Sequence, residues 1–409
     1  MCDVGLNKVV LSERFALVPV RRVGNGWRPH YSRSVVHSRR LSGFATIALG
    51  VALSGACSGD DSPEGEPGIS GEVRQQSQAP PSATESTALT LDQVAQRVEE
   101  NLHAFDGVAT GAIVLVRIGD QTRTFASGTA DVKHRRRMQP DDRFPIMSIT
   151  KTMVATTVLQ LVADEKLKLN DTVEDIVPGL LPQGNRITIR DLLSHRSGLY
   201  DLSRDHLPPP RRMTDDSLID AAAAHPLEFP PGTSGIYSNA GYEVLARVVE
   251  RITGKSLAEA MAINVFGPAG MSDTKLLGPP TVLGYNDSKV IADPYLRFIS
   301  AAGGVVSTVA DIDRFYTALW RGDLLDKQLV ATMTEPLGVV APMQVEYGLG
   351  VWFDPADCGT ALGHSGAGPG FATKAWTLPD ADRSVVVMVN DGDGDFIADT
   401  LAASALCDY

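Results

Sequence analysis

Cysteine is scarce in this 409-residue chain: four in all, Cys2, Cys57, Cys358 and Cys407. None stands with histidine at metal-ligand spacing, so the sequence offers no zinc module and no cofactor is expected. A membrane-spanning run is also missing, because the apolar stretch "LSGFATIALGVALSGA" (41–56) has sixteen residues where a spanning helix needs about 20. Positive charge is short beyond residue 57, where 29 Lys/Arg face 47 Asp/Glu, a formal balance of about −18. Such a surface argues against nucleic acid as a partner. No internal repeat is visible, and no Gly-x-Ser-x-Gly elbow marks an α/β-hydrolase.

What is present begins with a targeting segment, residues 1–57. Eight Lys/Arg and two Asp/Glu fall in it, and Arg39 and Arg40 precede the sixteen-residue apolar run. That is the layout of a secretory signal. Gly55-Ala56-Cys57 resembles the lipobox of bacterial lipoproteins, which makes Cys57 a candidate lipidation site and membrane anchor; a plain signal peptide cut near Ala56 is the alternative. "SRRLSGF" is a weaker twin-arginine candidate, and the residues before about Val35 read as an over-long start. Residues 58–88 are rich in Ser, Pro, Gly and Glu with few large apolar side chains, the composition of a flexible linker. The expectation is an exported protein, extracellular or held at the outer face of the cytoplasmic membrane, with one folded domain over 89–409. Cys358 and Cys407 remain as a candidate disulfide, and their spacing leaves the pairing open.

In the folded part "TLDQ" at Thr90 is a capping-box pattern, followed by Leu91, Val94, Val98 and Leu102 on one helix face. "GAIVLVRIGD" and "QTRTFASGTA" read as a hairpin at a sheet edge. A helix is expected from Ser148 to about Glu165, and then short helices and loops without good strands, including "TIRDLLSH", "SLIDAAAAH", "AGYEVLARVVERITG", "LAEAMAINVF" and "VADIDRFYTALW", the last capped by Ser307 or Thr308. Strands return at "YGLGVWF", "GTALGHSG", "GFATKAWTL" and "SVVVMVN", before a last helix from about Phe396 to Cys407. The fold class expected is mixed α/β (α+β): a mainly antiparallel sheet flanked by the terminal helices, with an all-helical lobe inserted on its other face.

Three stretches could carry chemistry. In "PIMSITKTMV" (145–154) Ser148 and Lys151 are one helical turn apart, close enough to hydrogen-bond. Alone the pair reads as an ordinary helix cap and a solvated lysine, since Ser-x-x-Lys is a common chance pattern; only further stretches turn it into a candidate nucleophile and base. "GIYSNAGYEV" places Tyr237, Ser238 and Asn239 in a loop before a strong helix; a phenol can exchange a proton with a lysine, and an amide can both donate and accept. "GHSGAGPGF" puts His364, Ser365, Gly366 and Ala367 at the end of a strand, where glycine admits close backbone approach. "NDGDGD" (390–395) alternates carboxylates as a calcium loop does, but Phe396 occupies the glycine position of such a loop, so it reads as a turn. "PPPRR" (208–212) reads as a loop at the cleft; Arg211 or Arg212 as a carboxylate binder is a weaker alternative.

Taken in order, "SITK", "YSN" and "HSG" resemble the Ser-x-x-Lys, Tyr-x-Asn and Lys/His-x-Gly elements of the penicillin-recognising serine hydrolases. The Tyr and His versions together are most similar to the class C β-lactamase and D-alanyl-D-alanine carboxypeptidase branch. "DLLSHRSGL" (191–199) and "AAGGVVSTVADIDRF" (301–315) extend the resemblance over about residues 90–405. It implies a β-lactamase/transpeptidase-like fold and, position by position, Ser148 as acylated nucleophile with Lys151 and Tyr237 moving protons. Asn239, His364, Ser365, Gly366 and Ala367 would bind substrate, with the N–H groups of Ser148 and Ala367 as oxyanion hole. His364 in place of the commoner lysine argues against efficient β-lactam hydrolysis. The reading is a monomeric D-alanyl-D-alanine carboxypeptidase acting on peptidoglycan stem peptides. Its alternatives are a β-lactamase-like esterase or D-amino-acid amidase, a class C-type β-lactamase, and a non-catalytic wall-binding lipoprotein, so the partner is a small peptide, ester or β-lactam.

Overall fold

Two strands, Gly111–Ile118 (GAIVLVRI) and Arg383–Val389 (RSVVVMV), are apolar at nearly every position instead of every second one. An antiparallel strand reads that way when helices cover both faces of its sheet. The computed structural model, which describes residues 89–107, 109–205, 213–286, 289–291, 297–379 and 382–407, pairs these two strands side by side at the middle of a sheet.

In chain order the first elements are α1 (Leu91–Ala104), β1 (Gly111–Ile118), β2 (Gln121–Asp131), β3 (Arg136–Arg137) and β4 (Phe144–Pro145). The helical block holds α2 (Thr150–Ala163), α3 (Val173–Ile176), α4 (Ile189–Leu193), α5 (Asp215–Ala224), α6 (Asn239–Thr253) and α7 (Leu257–Met261). Then come β5 (Lys275–Leu276), β6 (Gly284–Asn286), β7 (Lys289–Ile291), α8 (Ser300–Gly303), β8 (Val305–Ser307), α9 (Val309–Arg321) and α10 (Lys327–Met333). The chain closes with β9 (Val339–Val340), β10 (Val345–Tyr347), β11 (Trp352–Ala356), β12 (Gly359–Gly368), β13 (Phe371–Leu378), β14 and α11 (Asp395–Leu406), where β14 is the Arg383–Val389 strand.

Nine strands form one antiparallel sheet in the order β3-β2-β1-β14-β13-β12-β11-β10-β9. Alternation sorts its side chains. Ala112, Val114, Val116, Val385 and Val387 pack with Val94 and Val98 of α1 and Leu401 and Ala405 of α11. Ile113, Leu115, Val386 and Met388 pack on the opposite face with Ile312, Phe315 and Leu319 of α9 and with the helical block. Each fully buried Val or Leu contributes roughly 1.5–3 kcal/mol. The mixed α/β architecture expected from the order of helices and strands is the one observed.

Local signals match their elements at several points. Thr90 caps α1 in a full capping box with Gln93, and Thr308 is the residue that caps α9. The first hairpin is β1–β2, and "NDGDGD" is the connection from β14 into α11. Cys358 and Cys407 form a disulfide that ties the end of α11 to the turn between β11 and β12.

Three expectations are corrected. The middle block is not without strands, since β4, β8 and β5 form a small antiparallel sheet; pairings of two or three residues leave no periodicity to read. "YGLGVWF" is two strands, because Gly350 has φ +79° and lies so close to α2 that a Cβ there would sit 2.4 Å from Ala155 Cβ. The helix expected from Ser148 starts as a 3-10 turn, Met147–Ile149, and becomes α2 at Thr150. Residues 1–57 with Cys57, the linker 58–88, and "PPPRR" lie outside the described residues.

Candidate active site

Ser148 sits in the tight turn between β4 and α2. The residue before it, Met147, is held at φ +51°, an uncommon conformation for a side chain of that size. Strand β12 presses on this turn: a Cβ on Gly366 would lie 2.5 Å from Ile146 O and 3.0 Å from Met147 Cβ. Thr373 Oγ1 of β13 is 3.0 Å from Ile146 O and 3.2 Å from Gly366 O. The sheet therefore clamps the 146–148 backbone from one side, and glycine at 366 is required by the closeness of the two backbones.

From the other side comes Lys151, in the first turn of α2. That helix is buried all round, from Thr150 to Leu159, and is no amphipathic surface helix. Lys151 is fully buried, and its Nζ lies 3.2 Å from Ser148 Oγ, 2.7 Å from Asn239 Oδ1 and 2.7 Å from the Ala302 carbonyl oxygen. Its Nζ also stands 4.7 Å from the centroid of the Tyr237 ring. The structure thus brings together Ser148 from a turn, Lys151 from α2, Tyr237 from the loop before α6 and Asn239 from the first position of α6. Ser148, Tyr237, Asn239 and Ser365 are partly exposed and Ala367 is exposed, so the cluster opens to solvent along the edge of β12.

A beta-lactamase family model matches residues 92–407. The chain belongs to the beta-lactamase family. It is 27% identical over 307 residues to penicillin-binding protein 4* of Bacillus subtilis (strain 168), covering 68% of each chain. It is 26% identical over 295 residues to a D-aminopeptidase of Brucella canis, covering 68% of this chain but spanning little more than half, 56%, of that relative. Among solved structures it superposes on a D-amino acid amidase from Ochrobactrum anthropi SV3 with a TM-score of 0.69 and 26% identity, over 76% of this chain and 95% of the other. A D-stereospecific amidohydrolase from Streptomyces gives 0.65 and 29%, over 73% and 94%. The chain is accordingly a serine hydrolase of the penicillin-recognising type, with the beta-lactamase fold.

Within that family frame the electrostatics of the cluster are set by burial. Desolvation lowers the Lys151 ammonium from 10.5 to about 7, and the Asp201 and Glu243 carboxylates hold it from falling further. Burial likewise pushes His364 down to about 3, with the Lys151 charge adding to the effect. His364 is wholly enclosed: Nδ1 faces the Ser365 carbonyl, so it carries the proton, and Nε2 accepts from the Tyr347 hydroxyl at 2.9 Å. Its ring is thus a neutral wall behind the site, in place of a charged contact. Ser365 lies opposite Lys374 in the β12–β13 ladder, and Lys374 is paired with Asp395 and Asp399 of α11.

Several groups that hold the site were not singled out from sequence. Asp201, fully buried, accepts from Asn239 N and from Ser203 N and Oγ, while Ser203 Oγ accepts from Asn239 Nδ2 at 2.9 Å. His195, at φ +59°, accepts Ser238 N on Nδ1 at 3.1 Å and Ile236 N on its carbonyl at 3.0 Å. Its ring lies 4.2 Å from that of Tyr237. The segment carrying Tyr237 and the start of α6 at Asn239 is therefore pinned by a histidine on one side and an aspartate on the other. His195 and Ala302 fall inside phrases that look family-like in sequence, but only the fold gives them partners.

Proposed function

We propose that the protein hydrolyses the amide bond on the carbonyl side of a D-amino acid residue through an acyl-enzyme on Ser148, with D-alanyl-D-alanine stem peptides of peptidoglycan as the natural substrate class. One observation carries the reading. Asn239 Oδ1 and the Ala302 oxygen are both acceptors, so each takes an N–H from Lys151, and the third direction of Nζ points at Ser148 Oγ. In the neutral amine, which has two hydrogens and one lone pair, that direction is the lone pair. With the ammonium shifted to about 7, a large share of Lys151 is in this form at neutral pH.

In the proposed reaction Ser148 Oγ adds to the substrate carbonyl carbon as its proton passes to Lys151 Nζ. The oxyanion is received by the N–H groups of Ser148 and Ala367, a pairing supported by the contact of Gly366 with the 146–147 backbone. Collapse breaks the C–N bond, and the leaving nitrogen takes a proton from Tyr237, whose ring adjoins Lys151. Water then gives a proton to the Tyr237 phenolate as its oxygen adds to the ester carbon, and collapse of that adduct breaks the ester bond with return of the Lys151 proton to Ser148 Oγ, which releases the acid and restores all three groups. Asn239 orients the substrate amide with the second N–H of Nδ2. Ser365, partly exposed on β12, is the proposed partner of the substrate's terminal group.

A second reading, a D-amino-acid amidase, is favoured by the match to a D-amino acid amidase over 95% of its length. Release of D-alanine from a D-Ala-D-Ala peptide, compared with release of ammonia from a D-phenylalanine amide, separates the two. In either case a labelled penicillin or an aryl phosphonate is expected to add to Ser148, and Ser148→Ala to abolish the adduct. Label retained by that variant overturns the assignment of the nucleophile. Export and acylation at Cys57 belong to the same proposal, supported by the Gly55-Ala56-Cys57 sequence and the basic residues before the apolar run. Mass spectrometry of the mature N-terminus tests them.

A further inference from the structure

Beyond the groups that touch substrate, α6 carries a carboxylate with no part in the chemistry above. Glu243 is fully buried, one turn past Asn239. Its Oε1 accepts from Ala301 N at 3.1 Å and Ala302 N at 3.0 Å, and its Oε2 from Ser300 Oγ at 3.0 Å and Ala301 N at 3.1 Å. These donors belong to α8, the single turn whose Ala302 carbonyl is one of the two acceptors on Lys151. A carboxylate held by so many donors is a structural fixture, and no other described side chain is bonded to the Ala301 and Ala302 amides.

We infer that Glu243 is a positioning residue for the lysine: it fixes the α8 turn so that the Ala302 oxygen takes one N–H of Lys151 and leaves the amine lone pair directed at Ser148. The inference rests on the proposed acyl-enzyme mechanism. Asn239 and Glu243 lie on the same helix, so α6 sets both acceptors of Lys151, one by its own side chain and one through α8. Carboxylate charge adds a second effect, because Glu243 favours the protonated form of Lys151. The charged and titratable groups around Glu243 are Lys151 of α2, Asp215 of α5, whose Oδ2 lies 3.0 Å from the same Ser300 hydroxyl oxygen, and Arg247 of α6, which pairs with Asp215. Burial raises Glu243 itself to about 7.

Glu243→Gln keeps the shape but turns one acceptor into a donor facing the α8 amides and removes the charge. The expected result is a 10- to 100-fold fall in the acylation rate constant measured by the burst with a p-nitrophenyl ester, with the substrate dissociation constant, read from the concentration dependence of the burst rate, changed less than about threefold. Loss of the negative charge makes protonated Lys151 less favourable, so the acid limb of kcat/KM moves to lower pH than in the wild type. Glu243→Asp, which keeps the charge, is expected to hold the acid limb near its wild-type position while losing rate. Circular dichroism and thermal melts on each variant establish that it is folded. A folded Glu243→Gln protein with the wild-type burst rate and an unmoved acid limb overturns the inference; so does a loss of rate in which both variants keep the wild-type pH profile. Failure of the wild-type enzyme to form any Ser148 adduct would instead count against the proposed function.

Discussion

At the scale of single residues, Lys151 shows how a common side chain acquires uncommon chemistry. An exposed lysine near pH 7 is an ammonium and cannot accept a proton; full burial lowers it to about 7 while two fixed acceptors consume its hydrogens. Because the proposed mechanism uses the neutral amine, kcat/KM is expected to rise with pH through about 7, which a pH-rate profile checks. Lys151→Ala removes the proton acceptor and is expected to lower kcat/KM by about 10³-fold, read with the same ester. Gly366 makes a different demand. A methyl group there meets Ile146 O and Thr373 Oγ1, each at 2.5 Å, so Gly366→Ala must push β12 away from the Ser148 turn. A shift of about 1 Å can cost 10²-fold, and the variant is expected to lose roughly that much in kcat/KM while remaining folded by near-ultraviolet circular dichroism.

Among elements, α2 and α11 have opposite surroundings. Helix α2 runs through the centre of the helical lobe, buried on all sides, which is why Lys151 is desolvated together with the apolar positions of that helix. Helix α11 lies on the outer face of the sheet, where its apolar side packs with α1 and its end is tied to the β11–β12 turn by Cys358–Cys407. The bridge spans 49 positions, for which a loop-entropy argument gives about 4 kcal/mol and experience with native bridges about 2–4 kcal/mol. Cys358→Ser/Cys407→Ser is expected to lower unfolding stability in urea by that amount while leaving kcat near wild type, since the bridge is remote from the Ser148 turn.

For the molecule as a whole, the sheet and the α9 layer packed on it are joined by a buried ionic contact as well as by apolar packing. Arg117 of β1 donates to Asp313 of α9 at 3.1 Å, and Ser384 of β14 donates to the same oxygen at 2.8 Å. Asp313→Ala leaves the guanidinium buried with Asp382 as its remaining charged partner, and the expected destabilisation is about 3 kcal/mol, measured by chemical denaturation. That change loosens the seat of α9 on the sheet.

How much of this was legible in the amino-acid order depends on the range over which each feature is encoded. Capping of α1 by Thr90 and Gln93, the β1–β2 hairpin, the apolar strands β13 and β14 and the start of α11 are written in a few adjacent residues each, and the chain alone determines them. The three motifs were legible as residue types in a characteristic order. Their meeting was not, because the Ser148–Lys151 pair, the Tyr237–Asn239 loop and the 364–367 strand become neighbours only when the sheet closes around distant segments. Tertiary structure alone decided that Lys151 is dry, that His364 is a neutral wall bonded to Tyr347, and that Glu243 reaches through α8 to the Ala302 carbonyl. The physical reason is the same throughout: sequence specifies which groups can donate, accept or ionise, whereas desolvation and hydrogen-bond direction, which set their reactivity, exist only after packing.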